Sequence, residues 1–309
     1  MKVWLKAFRL RTLPLSFSSI LMGGAIAYSL NYQLGKVDSN FWLIFGLTLA
    51  TTLYLQILSN LANDYGDAKK GADNENRIGP ARSIQSGEIS AKAMLNAVIL
   101  FSILSLISGL ALLYFAFQEN LNWTSVSFLI LGLLAIAAAI KYTVGKGAYG
   151  YSGLGDLFVF IFFGPVAVMG TFYLLTKHFD WLLILPAITM GCFSVAVLNL
   201  NNMRDQVNDK AVGKNTLVVR LGFERAKIYH YCIFAIAYLI FPLPVLFFGT
   251  TAFKFISILP IAIIHLIHIN KVIKIVEPKD FDPELKKIAL SAFLYSLLIW
   301  FSLYLEHFL

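Results

Sequence analysis

Residues 56–87 read QILSNLANDYGDAKKGADNENRIGPARSIQSG, and this stretch decides the fold. It begins as the end of an apolar helix and turns within a few residues into a cluster of carboxylates and basic groups. Asn63 and Asp67 are four apart and Asp64 and Asp67 three apart, so their side chains share one helix face. Gln56 and Asn60 continue that polar stripe back toward what should be lipid. A carboxylate at mid-bilayer costs about 2.5–3.5 kcal/mol on insertion scales. Several on one face need a compensating partner, for which a divalent cation is the obvious choice.

A second cluster answers the first. Residues 199–216 read NLNNMRDQVNDKAVGKNT, where Asn201, Asp205 and Asp209 are spaced by four and form another one-face stripe. Asn63-xxx-Asp67-xxx-Gly71 can be laid over Asp205-xxx-Asp209-xxx-Gly213. Each cluster follows a long apolar run and ends in a glycine able to stop a helix. The match hints at an internal duplication.

The surroundings are those of a membrane protein. Of 309 residues, 58% are hydrophobic and 14% charged, against about half and a quarter in soluble domains. Nine apolar segments are long enough to span, near 13–31, 41–62, 93–117, 122–140, 153–175, 181–200, 226–247, 252–270 and 286–306. The expected fold is an all-α polytopic bundle of about nine transmembrane helices, one domain over residues 1–309, with helices seven and eight kinked at Pro242, Pro244 and Pro260. Lys2, Lys6, Arg9 and Arg11 before an apolar run mimic a signal peptide, but with the rest of the chain itself membrane-spanning this segment reads as a retained first helix. Cys192 and Cys232 lie in apolar spans without metal-ligand spacing and read as small buried hydrophobes.

The net charge of +8 belongs to the membrane and not to nucleic acid. With nine spans, 22 of the 25 Lys and Arg fall on the side of the N-terminus, leaving only Lys36, Lys177 and Lys254 opposite. That places the N-terminus and both acidic clusters in the cytoplasm, the C-terminus outside, and the chain in the cytoplasmic (inner) membrane. The two longest connections, 63–92 and 201–225, lie on the cytoplasmic side.

Asp and Asn oxygens suit Mg²⁺ better than zinc or copper, which prefer His or Cys. Arg77, Arg82, Lys141, Lys146, Arg204 and Lys214 stand beside the carboxylates. Carboxylates mixed with cations suggest a polyanion held partly through metal and partly directly, and a lipid diphosphate is the natural candidate. The chemistry this allows is ionisation of an allylic diphosphate and capture of the carbocation by an electron-rich acceptor. A single Asp at a helix end would read as a solvated charge. Two stripes on one membrane side, each with basic neighbours, read as function.

Asn63-Asp64-Tyr65-Gly66-Asp67 with Gly71 and Asp73, then Arg77-Ile78-Gly79-Pro80-Ala81-Arg82 and Ser86-Gly87, resembles the first aspartate-rich motif of the UbiA superfamily of membrane prenyltransferases. Asn201-Asn202-Met203-Arg204-Asp205 with Asp209, Gly213-Lys214 and Thr216-Leu217 resembles the second. Residues 7–14, AFRLRTLP, residues 77–87, Tyr151-Ser152-Gly153-Leu154-Gly155-Asp156 and Phe162-Phe163-Gly164-Pro165 are most similar to the branch that prenylates 1,4-dihydroxy-2-naphthoate. The resemblance implies a polyprenyl diphosphate donor, Mg²⁺, and a prenyl group that replaces the acceptor's carboxylate, so that CO2 and diphosphate leave and demethylmenaquinone forms. It implies Asn63, Asp64, Asp67, Asp205 and Asp209 as the Mg²⁺-binding set, the four carboxylates being catalytic. It implies Asn63, Arg82, Lys141, Arg204 and Lys214 as diphosphate ligands. The commoner first motif has a fourth acidic position where this chain has Gly71, and Asp73 is the candidate replacement.

Asn60, Asn201, Tyr142 and Asp156 are further candidates, although Asp156 is equally an N-terminal-turn charge favoured by the helix dipole. His265 and His268, three apart, read as a hydrogen-bonded packing pair more than as metal ligands. Arg9 and Arg11 read as headgroup anchors, Arg11 with a second reading near the acceptor. Gly23-Gly24 reads as a close helix contact and Lys279 to Lys287 as a solvated loop. The rival readings are a superfamily member using 4-hydroxybenzoate, haem, homogentisate, chlorophyllide or a lipid ether as acceptor, and a transporter.

Overall fold

A computed structural model of the chain describes residues 2–74, 77–118, 122–243 and 254–305, the side chains of residues 11 and 254–257 excepted. No strand occurs among the described residues. The α-helices among the described residues are α1 (Lys2–Phe8), α2 (Leu13–Gln33), α3 (Ser39–Lys69), α4 (Ala91–Phe117), α5 (Trp123–Lys141), α6 (Gly155–Ile161), α7 (Ala167–Thr176), α8 (Ile184–Ala211), α9 (Leu217–Leu221), α10 (Phe223–Ile240), α11 (Lys254–Lys274) and α12 (Phe281–Leu305). A π-helical turn at Phe162–Val166, around Pro165, links α6 to α7. The chain is a multi-pass membrane protein: seven helical segments among the described residues are long and apolar enough to cross a membrane.

The expected spans seven and eight are not among those seven; residues 244–253 and the side chains of 254–257, which belong to them, lie outside the described residues. α10 and α11 occupy their places, but α10 carries Glu224, Arg225 and Lys227 in its first turns and ends at Ile240, just before Pro242. Proline lacks the N–H that would continue the ladder and disfavours helix in the residue before it. Pro244 lies outside the described residues. Pro260 lies within α11. The loop expected over Lys279 to Lys287 is instead a 3-10 turn, Pro278–Asp280, running into the start of α12, where Asp282, Pro283 and Glu284 form a favourable first turn. Cys192 is buried as expected, whereas Cys232 is exposed.

Packing divides the chain into two compact units. The first comprises residues 1–13, 47–158 and 202–226. Its apolar core joins Ala7 of α1, Ile57, Leu58, Leu61, Ala62 and Tyr65 of α3, and Met94, Ala97, Val98 and Phe101 of α4. The α3 positions recur at helical spacing, so this stripe is packed while the neighbouring stripe at 56, 60, 63–64 and 67 stays polar. The second unit comprises residues 14–46, 159–201 and 227–309. Its helices approach closely at glycines. A Cβ on Gly23 would collide with the Val168 carbonyl, and one on Gly164 would lie 2.6 Å from the Ala187 carbonyl oxygen. The close-contact reading of Gly23 therefore holds.

Candidate active site

Both aspartate clusters sit at helix C-termini and end alike. In α3 the Ala72 N–H donates to the Asp67 carbonyl (2.9 Å) with Gly71 at φ +70°. In α8 the Lys214 N–H donates to the Asp209 carbonyl (2.8 Å) with Gly213 at φ +71°. These are Schellman closures, whose left-handed residue favours glycine. The helices extend past the expected boundaries, to Lys69 and Ala211, so the clusters are helical and the connections shorter than 63–92 and 201–225. A second glycine shapes the first cluster. A Cβ on Gly66 would lie 2.5 Å from Thr143 Oγ1, so Gly66 lets α3 approach the end of α5. Thr143 Oγ1 donates there to the Ala62 carbonyl (2.9 Å) and to Asn63 Oδ1 (3.4 Å).

Five buried carboxylates meet five cations. Asp64 pairs with Arg9 and lies 3.5 Å from Arg82 Nε. Asp67 Oδ1 accepts from the Tyr151 hydroxyl (2.8 Å), and its Oδ2 lies 3.5 Å from Lys214 Nζ. Asp73 faces Arg77 (3.3 Å) and Arg82 (3.7 Å). Asp205 is clasped by Arg204 through Nε (2.9 Å) and Nη2 (2.7 Å), and also receives Arg77 (3.3 Å). Asp209 lies 3.8 Å from Lys214. Gly79 makes room for two of these guanidiniums, since a Cβ there would lie 2.8 Å from Arg204 Nη2 and 2.9 Å from Arg77 Nη1.

Outside the spanning segments the electrostatics can be read group by group. Burial raises Asp73 to about 6, against the pull of Arg82 and Arg77. Burial, helped by the charges of Arg9 and Arg77, lowers Arg82 to about 9, still protonated at neutral pH. Burial works against the Lys214 ammonium, but Asp67, Asp209 and Asp205 outweigh it and hold its pKa above the ordinary value. Burial, then Asp156, Asp67 and Asp209, push the Tyr142 phenol up, so Tyr142 and Asp156 share the surroundings of the cluster.

The remaining candidates separate. Asn60 Nδ2 donates to the Phe8 carbonyl (3.0 Å) and to Thr12 Oγ1 (3.3 Å), and Gln56 donates to Thr12 (3.2 Å), so these two anchor the N-terminal segment. Lys141 is exposed at the end of α5, its Nζ near Gly145, and is not brought to the cluster. One residue along a helix turns a side chain by about 100°, which separates Lys141 from Tyr142. Asn201 is half-buried one turn ahead of Asp205 on α8. His265 and His268 lie in a hydrogen-bonded network of the second unit. The Arg11 side chain lies outside the described residues. Arg77 joins the site, as expected of a basic group beside the carboxylates, and Arg9 and Tyr151 join it without having been singled out for it. Tyr151 and Arg9 both stood inside quoted stretches, Arg9 read there as a headgroup anchor.

The donor set fits a hard cation. Among the described residues no three carboxylate, His or Cys groups converge as a metal cage, because each carboxylate is turned to a basic partner. Both oxygens of Asp73 and Oδ1 of Asn208 are nevertheless buried without a hydrogen bond. Buried carboxylate and amide oxygens left over beside Asp67 and Asp209 are the ligand type that Mg²⁺ takes together with phosphate oxygens.

The UbiA prenyltransferase family model matches residues 17–302. The chain is 43% identical to a 1,4-dihydroxy-2-naphthoate octaprenyltransferase of Haemophilus influenzae, over 96% of this chain and 94% of that one. It is 49% identical to the Escherichia coli protein of the same name, over 75% of this chain and 72% of that one. A UbiA homologue from Archaeoglobus fulgidus, solved with DMAPP and Mg²⁺, shares the fold with TM-score 0.60 at 18% identity, over 96% of this chain and 98% of that one. With the family's sequence pattern running through nearly the whole length, and the fold agreeing, the chain belongs to the UbiA prenyltransferase family.

Proposed function

We propose that this protein moves a polyprenyl group from its diphosphate to 1,4-dihydroxy-2-naphthoate, releasing CO2 and diphosphate and forming the prenylated 1,4-naphthohydroquinone, the reduced form of demethylmenaquinone. The observation that carries the reading is the buried network of five carboxylates and five cations at the ends of α3 and α8. Its charges already balance, so it accepts a diphosphate only together with that anion's own cations. Asn63, Asp64, Asp67, Asp205 and Asp209 are the residues that would hold Mg²⁺, with Asp73 and Asn208 beside them. When bound, Mg²⁺ supplies neutralisation of the charge that develops on the leaving diphosphate.

The chain's own residues do the rest. Arg204, Arg77, Arg82 and Lys214 exchange carboxylate partners for phosphate oxygens, and their burial makes each such contact stronger than it would be in water. The allylic C–O bond breaks with its electron pair on diphosphate. A C–C bond forms at the ring carbon that bears the carboxylate, and the bond to that carboxylate breaks, its pair returning to the ring as CO2 leaves. The electrons balance without a base.

Residues 1–309 act as one prenyltransferase domain in the cytoplasmic membrane, with the N-terminus and the site on the cytoplasmic side and the C-terminus outside. The placing of the basic residues supports that orientation. The test uses detergent-purified protein, Mg²⁺, a polyprenyl diphosphate and 1,4-dihydroxy-2-naphthoate. Prenylated product and CO2 should appear in equal amounts and both should vanish with EDTA. Metal-dependent product only with another aromatic acceptor would move the protein to a different branch.

A further inference from the structure

Tyr151 stands in a short 3-10 turn, Tyr149–Tyr151, that is pinned on both sides. Gly150 donates its N–H to the Tyr142 carbonyl (3.0 Å) and packs so closely that a Cβ would lie 2.6 Å from that oxygen. Arg220 Nη2, from the short helix that follows Lys214, donates to the Ser152 carbonyl (2.8 Å). From this turn the phenol reaches Asp67 and splits the duties of its two oxygens. Oδ1 accepts the phenolic O–H at 2.8 Å, and Oδ2 faces Lys214 Nζ at 3.5 Å. The aromatic ring lies under two ammonium groups, Lys70 at 3.9 Å and Lys214 at 5.4 Å from its centroid.

We propose that Tyr151 is a positioning residue: its hydroxyl occupies Oδ1 of Asp67 and leaves Oδ2 as the oxygen offered to a cation, Lys214 in this structure and a metal ion in the loaded enzyme. The inference rests on the metal–diphosphate reading of Asp67 given above. A neutral donor on one oxygen disfavours rotation about the Cβ–Cγ bond, so the second oxygen is already aimed. Partners of this kind, one bond behind a metal ligand, typically change metal affinity by about ten- to a hundredfold when removed. The same turn also touches both halves of the site, Asp67 through Tyr151 and the segment after α8 through Ser152. A movement of Lys214 and Arg220 is therefore felt at Asp67.

Tyr151→Phe isolates the hydroxyl, because the ring and its contacts with Lys70 and Lys214 remain. The full-length, detergent-solubilised wild type, Tyr151→Phe and Asp67→Asn are titrated with Mn²⁺ in the presence of inorganic diphosphate, and bound Mn²⁺ is read by EPR. The Tyr151→Phe curve should shift to about tenfold higher Mn²⁺. The Mg²⁺ dependence of turnover should shift by the same factor, while kcat at saturating Mg²⁺ falls less than about threefold and the KM of the naphthoate does not move. Superimposable Mn²⁺ curves for Tyr151→Phe and wild type would overturn the inference. Thermal unfolding of each variant separates a lost fold from a lost ligand position. If Asp67→Asn itself bound Mn²⁺ like wild type, the reading of the site would fail. If Asp67→Asn lost Mn²⁺ and Tyr151→Phe did not, only the role of Tyr151 would fail.

Discussion

Among the described residues each unit holds a buried polar network, and the two are finished differently. In the second unit, His268 Nδ1 meets Glu284 (2.6 Å), His268 Nε2 meets His230 Nε2 (2.9 Å), His230 Nδ1 meets Asn199 (3.1 Å) and His265 Nε2 meets Ser291 (2.7 Å). Glu284 is further satisfied by Lys287 and Lys271. What is left over there is neutral: one ring nitrogen of His265 and the amide nitrogen of Asn199. In the network of the first unit most of the leftover atoms belong to ions, namely both oxygens of Asp73 and the Nε atoms of Arg9 and Arg82, with the neutral Oδ1 of Asn208 beside them. A charged group that is buried without its full set of hydrogen bonds is costly unless something else completes it. The contrast teaches where to look for a ligand. A closed network holds a fold, and an open ionic one waits for an ion.

The widest separation should come from one carboxylate in each network. Asp67→Asn or Asp209→Asn should lower turnover by about a hundred- to a thousandfold while the unfolding midpoint in detergent stays close to wild type. Glu284→Ala should do the reverse. It leaves His268 and two lysines without their shared anion, for a loss of about 3–5 kcal/mol in stability, while turnover per folded molecule stays within about twofold. Denaturation curves and turnover on the same preparations check both. An inactive but stable Glu284→Ala would erase the distinction between the networks.

Gly79→Ala should have a smaller effect confined to the open network. The backbone of Gly79 is not in the left-handed region, so alanine adds only a methyl group, placed against Arg204 and Arg77. Displacing two guanidiniums by a fraction of their length should lower kcat/KM for the prenyl diphosphate by about ten- to a hundredfold and leave the KM of the acceptor unchanged. Steady-state kinetics with each substrate varied in turn would show it.

The helices, the two carboxylate stripes and their glycine stops could be read from the chain because each follows a local period. Asp64 and Asp67, like Asp205 and Asp209, had to share a face once the segments were helical. Their partners follow no such period. Arg9 reaches Asp64 across 55 positions, Arg77 reaches Asp205 across 128, and Tyr151 reaches Asp67 across 84. Nothing in the sequence ties those ends together. Lys141 stands at the end of α5, exposed and with its Nζ beside Gly145. Glu284 was read as part of a solvated loop because it follows a charged run, yet it is fully buried by the histidine network.

Asp73 offers the finest test, because it should separate stability from activity in a single side chain. Its pKa lies at about 6 instead of 3.8, with burial the main cause, so the folded protein favours the neutral form more than the unfolded chain does. At pH 7 the ionised carboxylate therefore subtracts from stability. Asp73→Asn, a neutral isostere, should raise stability at pH 7 by about 1–3 kcal/mol, from the size of the shift. That advantage should shrink as pH falls through about 6, where wild-type Asp73 becomes neutral as well. Turnover should move the other way. The same proton removes the anion that Arg77 and Arg82 face, so wild-type activity should decline as pH falls below about 6. Asp73→Asn should already be slowed at pH 7 and should lose that part of the pH profile. Unfolding midpoints and turnover between pH 5 and pH 8 measure both. A variant that is more stable, less active and flatter in pH would identify Asp73 as a charge retained for the ligand and not for the fold. A variant that is less stable at pH 7 would mean that its pairing with Arg77 and Arg82 outweighs its burial, and the open network would then resemble the closed one.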